Sequence, residues 1–153
     1  MSKKRILLLI ITCVLALVLM GVIFWLSNQP AEESAEMSNT LIAKIYRLLG
    51  VFLPEVVVRK LAHFCEFLLL AFLYSNIFYL IKAKKWYVPA FSLAVLYAVT
   101  DEIHQLFIPG RAGMVIDVFI DALGAASGIA IYFLIIKIIH SVRRKKNVRN
   151  TSV

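Results

Sequence analysis

Residues 59–85 read RKLAHFCEFLLLAFLYSNIFYLIKAKK, and this stretch decides the fold. Between Glu66 and Lys82 lie fifteen largely apolar residues. The interval recurs twice: fifteen residues separate Lys85 from Asp101, and fifteen separate Asp121 from Lys137. A helix rises about 1.5 Å per residue, so each lysine stands roughly 24 Å from its acid. The hydrocarbon core of a bilayer is about 30 Å thick. If the lysines mark one membrane face, three acids lie at one depth, just inside the opposite face. Charge at that depth is costly and points to function.

Composition agrees with a membrane setting. Of 153 residues, 61% are hydrophobic, and the mean hydropathy is +0.85. Soluble domains run nearer half apolar. The net charge of +8 does not point to nucleic acid, because the basic residues cluster beside apolar blocks, the pattern that orients membrane proteins. Cys13 and Cys65 each sit in an apolar segment, near opposite faces by residue count, so no disulfide is expected.

Outward from the opening stretch, four spans are expected: residues 6–26, 61–81, 86–107 and 114–139. The first follows a basic start, Lys3-Lys4-Arg5, but Ser27-Asn28-Gln29-Pro30 is no signal-peptide cleavage site, so it reads as a retained helix. Before the second span, Ser38 is a candidate cap for a short helix. Leu41, Ile42, Ile45, Tyr46, Leu48, Leu49, Phe52 and Leu53 then recur at helical spacing, and Gly50 and Pro54 close the segment. That amphipathic helix is expected either on the membrane surface or packed over the bundle. Lysine and arginine bias puts Lys3–Arg5, the 82–85 loop and the tail on the cytoplasmic side. The expectation is one all-α domain, residues 1–142: a four-transmembrane-helix bundle with a short extracytoplasmic amphipathic helix. Both termini face the cytoplasm, and residues 143–153 form a mobile basic tail.

This topology gathers polar groups at the outer leaflet. Arg59, His63 and Glu66 share a face of the second span through i,i+4 and i,i+3 spacing. The third span brings Asp101, Glu102 and Gln105, with His104 on an adjoining face. The fourth brings Asp117 and Asp121, one turn apart. Arg111 lies in the intervening loop, after Pro109-Gly110. A single intramembrane ion pair often serves only as glue between helices. A cluster this large from three helices is expected to surround a cavity or groove instead. His63, Glu66, His104 and the aspartates suit a divalent metal without naming one. Gly124-Ala125-Ala126-Ser127-Gly128 is a small-residue stripe that admits a second helix to backbone contact.

At these residues the chain resembles the VanZ-like family. The matching pattern is Arg59-Lys60-x-x-His63-x-x-Glu66-Phe67, then Asp101-Glu102-x-x-Gln105-x-Phe107-x-Pro109-Gly110-Arg111, then Asp117, Asp121 and Gly124. It covers roughly residues 20–140. The resemblance implies a role like that of the family's founding member, an accessory factor in glycopeptide resistance that protects against teicoplanin. It also implies kinship with four-helix membrane enzymes acting on lipid head groups.

Two functions are expected from the residues. In the first, His63, Glu66, Asp101, Glu102, Asp117 and Asp121 carry out chemistry on a lipid or lipid-linked envelope precursor. Arg59, Arg111 and Gln105 bind it; arginine's fork suits a phosphate. In the second, the protein binds a lipid, a lipoglycopeptide antibiotic or an envelope partner without catalysis. No clear nucleophile is legible, which favours the second. Proton or ion transport is disfavoured, because the cytoplasmic halves of the spans lack ionisable groups. The expected location is the plasma membrane of a bacterial-type cell.

Overall fold

The structure is a computed structural model that describes the backbone of residues 1–151 and the side chains of residues 1–144. Among the described residues there are five helices and no strand: α1 Lys3–Ser27, α2 Ala31–Leu49, α3 Glu55–Leu80, α4 Tyr87–Gln105 and α5 Val115–Thr151. Two of them, α1 and α5, are long and apolar enough to cross a membrane.

Helix boundaries follow local chemistry. Pro54 precedes α3, and its carbonyl accepts from the Val57 and Val58 amides, the first-turn geometry that proline favours. Pro89 is tolerated in α4 because it lies in the first turn. α4 stops at Gln105, two residues short of the expected end, where Leu106 and Phe107 turn toward Pro109-Gly110. Gly110 has φ 73°, and a Cβ there would lie 2.9 Å from that of Ala31, so only glycine fits this corner.

Two expectations are corrected. Ser38 does not cap the amphipathic helix. α2 begins seven residues earlier, behind Pro30, with Glu32 and Glu33 in its first turn where the helix dipole favours acids. The Ser38 hydroxyl instead donates back to the Ser34 carbonyl at 2.9 Å. The fourth span does not end near Ile139 either: α5 runs on to Thr151, since no glycine or proline follows Gly128 to stop it. Lys145, Lys146 and Arg149 fall outside the described side chains.

Consecutive long helices run up and down, so the bundle has two chemically different ends. At one end the Arg5 guanidinium donates to the Tyr79 carbonyl. The Tyr79 hydroxyl meets His140 Nε2 at 3.1 Å, and Trp86 packs edge-on against Tyr79 and Tyr132. Lys82 and Lys85, both at positive φ, make the tight turn there. At the other end meet the close of α1, the start of α3, the close of α4 and the start of α5. The Ala31 amide at the start of α2 joins them by donating to the Pro109 carbonyl.

Between the ends the core is thin. Ile23, Phe67, Leu70 and Ala98 form one cluster, and Ala71, Ala94 and Ala125 another. Ala90, Ala94 and Ala98 lie one turn apart on α4 and are fully buried, which lets α3 and α5 close on that face. The outside is apolar instead: Leu7, Ile10, Val14, Leu17 and Val18 of α1 are all exposed. A belt of that extent on a soluble monomer would be an association surface. On a membrane protein it is the lipid-facing side.

Candidate functional site

The polar end is assembled by the closest helix contact in the molecule's small-residue stripe. A Cβ added at Gly124 would collide with the Phe64 carbonyl, and one at Gly128 with the Leu68 carbonyl. α3 and α5 therefore touch backbone to backbone, as the stripe predicts. One turn before Phe67 on α3, and one turn before Gly124 on α5, this contact brings His63 Nδ1 to 3.7 Å from Asp121 Oδ1. One turn further out, Lys60 pairs with Asp117.

Nine residues were singled out from sequence, and the structure sorts them into two groups. Arg59, His63, Glu66 and Arg111 line a cavity of about 230 Å³ between α2 and α3. Leu26, Met37, Leu41, Val58 and Ala62 give the rest of its wall apolar surface, interrupted by Ser27, Ser34 and Ser38. Arg59, His63, Gln105, Arg111 and Asp117 line an adjoining cleft of about 210 Å³. Arg59, His63 and Arg111 belong to both, so they stand on the shared wall.

Asp101, Glu102 and Asp121 line neither cavity. They are buried behind it, at 4%, 5% and 0% exposure. Asp101 Oδ2 accepts from the Ser27 hydroxyl at 2.8 Å and from Gln105 Nε2 at 3.1 Å, and so ties α4 to the end of α1. Glu102 Oε2 accepts from the Met114 amide at 2.8 Å, at the N-terminus of α5 where an acid is favoured. Its Oε1 finds no donor. Asp121 has no donor on either oxygen, and His63 Nδ1 has no partner. A buried polar atom left unpaired costs about 1–3 kcal/mol, and more when charged.

Arg59 makes a half-exposed contact with Glu55, 3.5 Å away and one turn back on α3. Arg111 is more constrained: Nε donates to the Gln29 carbonyl at 2.9 Å and a terminal nitrogen to Leu26 at 3.1 Å. It thereby ties the loop before α5 to the end of α1, sharing the Leu26 carbonyl with the Gln29 amide. Burial, and then the neighbouring Arg59, lower its affinity for a proton, while Asp101, Glu102 and Glu66 act the other way. Two cations facing one cleft favour an anionic occupant.

His104 is not part of the cluster. It stacks on Phe24 at 4.8 Å and meets Asn28 Oδ1 at 3.2 Å, so it is no candidate metal ligand with the others. Cys65 is exposed, Cys13 is half-buried, and both are free thiols. Sequence reasoning missed Ser27 and the carbonyls of Leu26 and Gln29. Ser27 had one signal: it is the first polar residue after Thr12, closing a twenty-one-residue stretch without charge, at the depth of the acids. The carbonyl acceptors had none, because backbone acceptors carry no residue identity.

The helices and the clefts together define the class: an all-α membrane protein with a charged, partly buried site at one end of its bundle. The chain belongs to the VanZ/LLP1 family, whose model matches residues 12–137. Both cavities and all three buried acids lie within that range. No curated protein and no solved structure matches the chain.

Proposed function

We propose that the chain crosses the plasma membrane four times, as α1, α3, α4 and α5, with both termini in the cytoplasm. The polar end then lies at head-group depth in the outer leaflet, where it binds or modifies a lipid or lipid-linked envelope precursor. The observation that carries this reading is the cavity of about 230 Å³, whose walls join apolar Leu26, Met37, Leu41, Val58 and Ala62 to the ionisable Arg59, His63, Glu66 and Arg111. An amphiphile needs both kinds of wall at once. The volume supports a head group or a short acyl segment, since drug-sized ligands occupy roughly 300–1,000 Å³. A teicoplanin-type glycopeptide would then be engaged through its acyl tail, or answered indirectly through a changed lipid.

In the catalytic form of the reading, His63 exchanges a proton with the head group and Glu66 stands beside it as partner. Arg59 and Arg111 clamp the anionic group. Gln105 and Asp117 orient its polar edge, and Asp101, Glu102 and Asp121 fix the wall. The test is a strain that lacks its own copy and carries His63→Ala or Glu66→Gln. The expected result is the deletion strain's lipid profile and glycopeptide susceptibility, with protein accumulating normally. A wild-type profile in both variants contradicts the reading.

A second reading, binding without chemistry, draws support from Ser27. Its hydroxyl lies beside the cavity, but its proton is donated to Asp101, so it serves as a tie between α1 and α4 and not as a nucleophile. Under this reading, lipid retention falls in Arg59→Ala while no product lipid accumulates in wild-type membranes. For the topology, a cysteine placed at position 84 stays unlabelled by an impermeant thiol reagent applied to intact cells. Labelling from outside would overturn it.

A further inference from the structure

We infer that His63, Glu102 and Asp121 hold a divalent cation of the manganese or zinc type in the wall behind the clefts. One ligand atom from each of the three lies within 4.8 Å of the others. Four of their polar atoms are buried without a partner: His63 Nδ1, Glu102 Oε1 and both oxygens of Asp121. Asp121 is fully buried.

Counting donors favours an ion over a simple ion pair. A proton on His63 Nδ1 can satisfy one of the three unpaired carboxylate oxygens, and two remain. Among the described residues no cation is placed on them: Lys60 is paired with Asp117, Arg59 lies against Glu55, and Arg111 donates to the Gln29 and Leu26 carbonyls. A single divalent ion takes one ligand atom from each of the three residues and offsets both carboxylate charges.

The geometry is close to what such an ion needs. Ligands about 2.1 Å from a metal lie about 3.0–3.4 Å apart. His63 Nδ1 and Asp121 Oδ1 are already at 3.7 Å. No gap exceeds 4.8 Å, so closing the widest takes a shift of at most about 1.8 Å, within the reach of the Glu102 side chain. The donor set decides the class: one imidazole suits zinc and its neighbours, and two carboxylates suit manganese and magnesium. Manganese and zinc satisfy both preferences. The surroundings also suit an ion, because Glu102 Oε2 is anchored by the Met114 amide at 2.8 Å, which fixes the carboxylate and leaves Oε1 unpaired. The inference stands on this geometry alone and does not rest on the head-group reading.

The test uses the purified full-length protein in detergent, stripped with chelator and then supplied with Mn²⁺ or Zn²⁺. Bound metal is measured by elemental analysis and, for manganese, by loss of the free-ion resonance signal. The expected result is about one equivalent per chain. Affinity is expected to weaken about tenfold or more in Asp121→Asn and in Glu102→Gln, with helical circular dichroism unchanged, while His104→Ala, outside the cluster, keeps the wild-type stoichiometry. Should Asp121→Asn not fold, Glu102→Gln decides, since its amide oxygen can still accept from Met114. Wild-type protein that takes up neither ion overturns the inference, and so does wild-type affinity in Glu102→Gln.

Discussion

The middle of the bundle and its polar end both carry buried polar groups, but only the middle satisfies them from within. Tyr132 donates to Asn76 at 3.0 Å, Asn76 donates to Thr12 at 2.8 Å, and Thr12 donates to the Leu8 carbonyl at 2.8 Å. Tyr97 donates to the Met20 carbonyl at 2.7 Å. These groups are neutral and paired, and they join α1 to α3, α4 and α5. At the polar end, four atoms of His63, Glu102 and Asp121 are buried and unpaired. Among the described residues one further buried side-chain atom lacks a partner, Arg5 Nε at the basic end. Neutral, closed networks hold helices together. Charged, open ones persist at a cost in stability that natural proteins accept where a function needs them.

The largest test of that contrast acts on the contact that builds the polar end. Gly124→Val drives a side chain into the Phe64 carbonyl, forces α3 and α5 apart and separates His63 from Asp121. A loss of about 3 kcal/mol is expected, read as reduced accumulation and a lowered unfolding temperature in detergent. Next, Asn76→Ala leaves the Tyr132 hydroxyl without its acceptor and should cost about 2 kcal/mol. Asp121→Asn sharpens the contrast because its sign is opposite. Removing an uncompensated buried charge should raise the unfolding temperature of metal-free protein, by about 1 kcal/mol of stability. A loss matching that of Asn76→Ala would erase the distinction between the two regions. Smallest is Ser27→Ala, about 0.5 kcal/mol, because Asp101 keeps its bond from Gln105.

Much of this arrangement was readable from spacing. The fifteen-residue intervals place Glu66, Asp101 and Asp121 at one end of three helices, and the structure brings those ends together. The glycine stripe foretells the α3–α5 contact, since nothing larger than hydrogen fits between the backbones. Spacing does not tell which acids face a cavity. Asp101 and Glu102 are neighbours whose side chains diverge by about 100° around the helix. One turns to Ser27 of α1 and the other to Met114 at the start of α5, and neither partner is marked by charge. The start of α2 was misjudged for a different reason. Ser38 has the chemistry of a cap, but a serine within a helix can satisfy itself on the preceding turn, and the stronger start signal was Pro30 followed by two glutamates.

The central claim is that the polar end, and not the basic end, holds an anionic amphiphile. Native mass spectrometry of the protein released gently from its own membranes tests this directly. The account predicts a retained anionic lipid that Arg59→Ala loses and that Lys82→Ala, in the turn at the opposite end, keeps. Loss from Lys82→Ala with full retention in Arg59→Ala would contradict it.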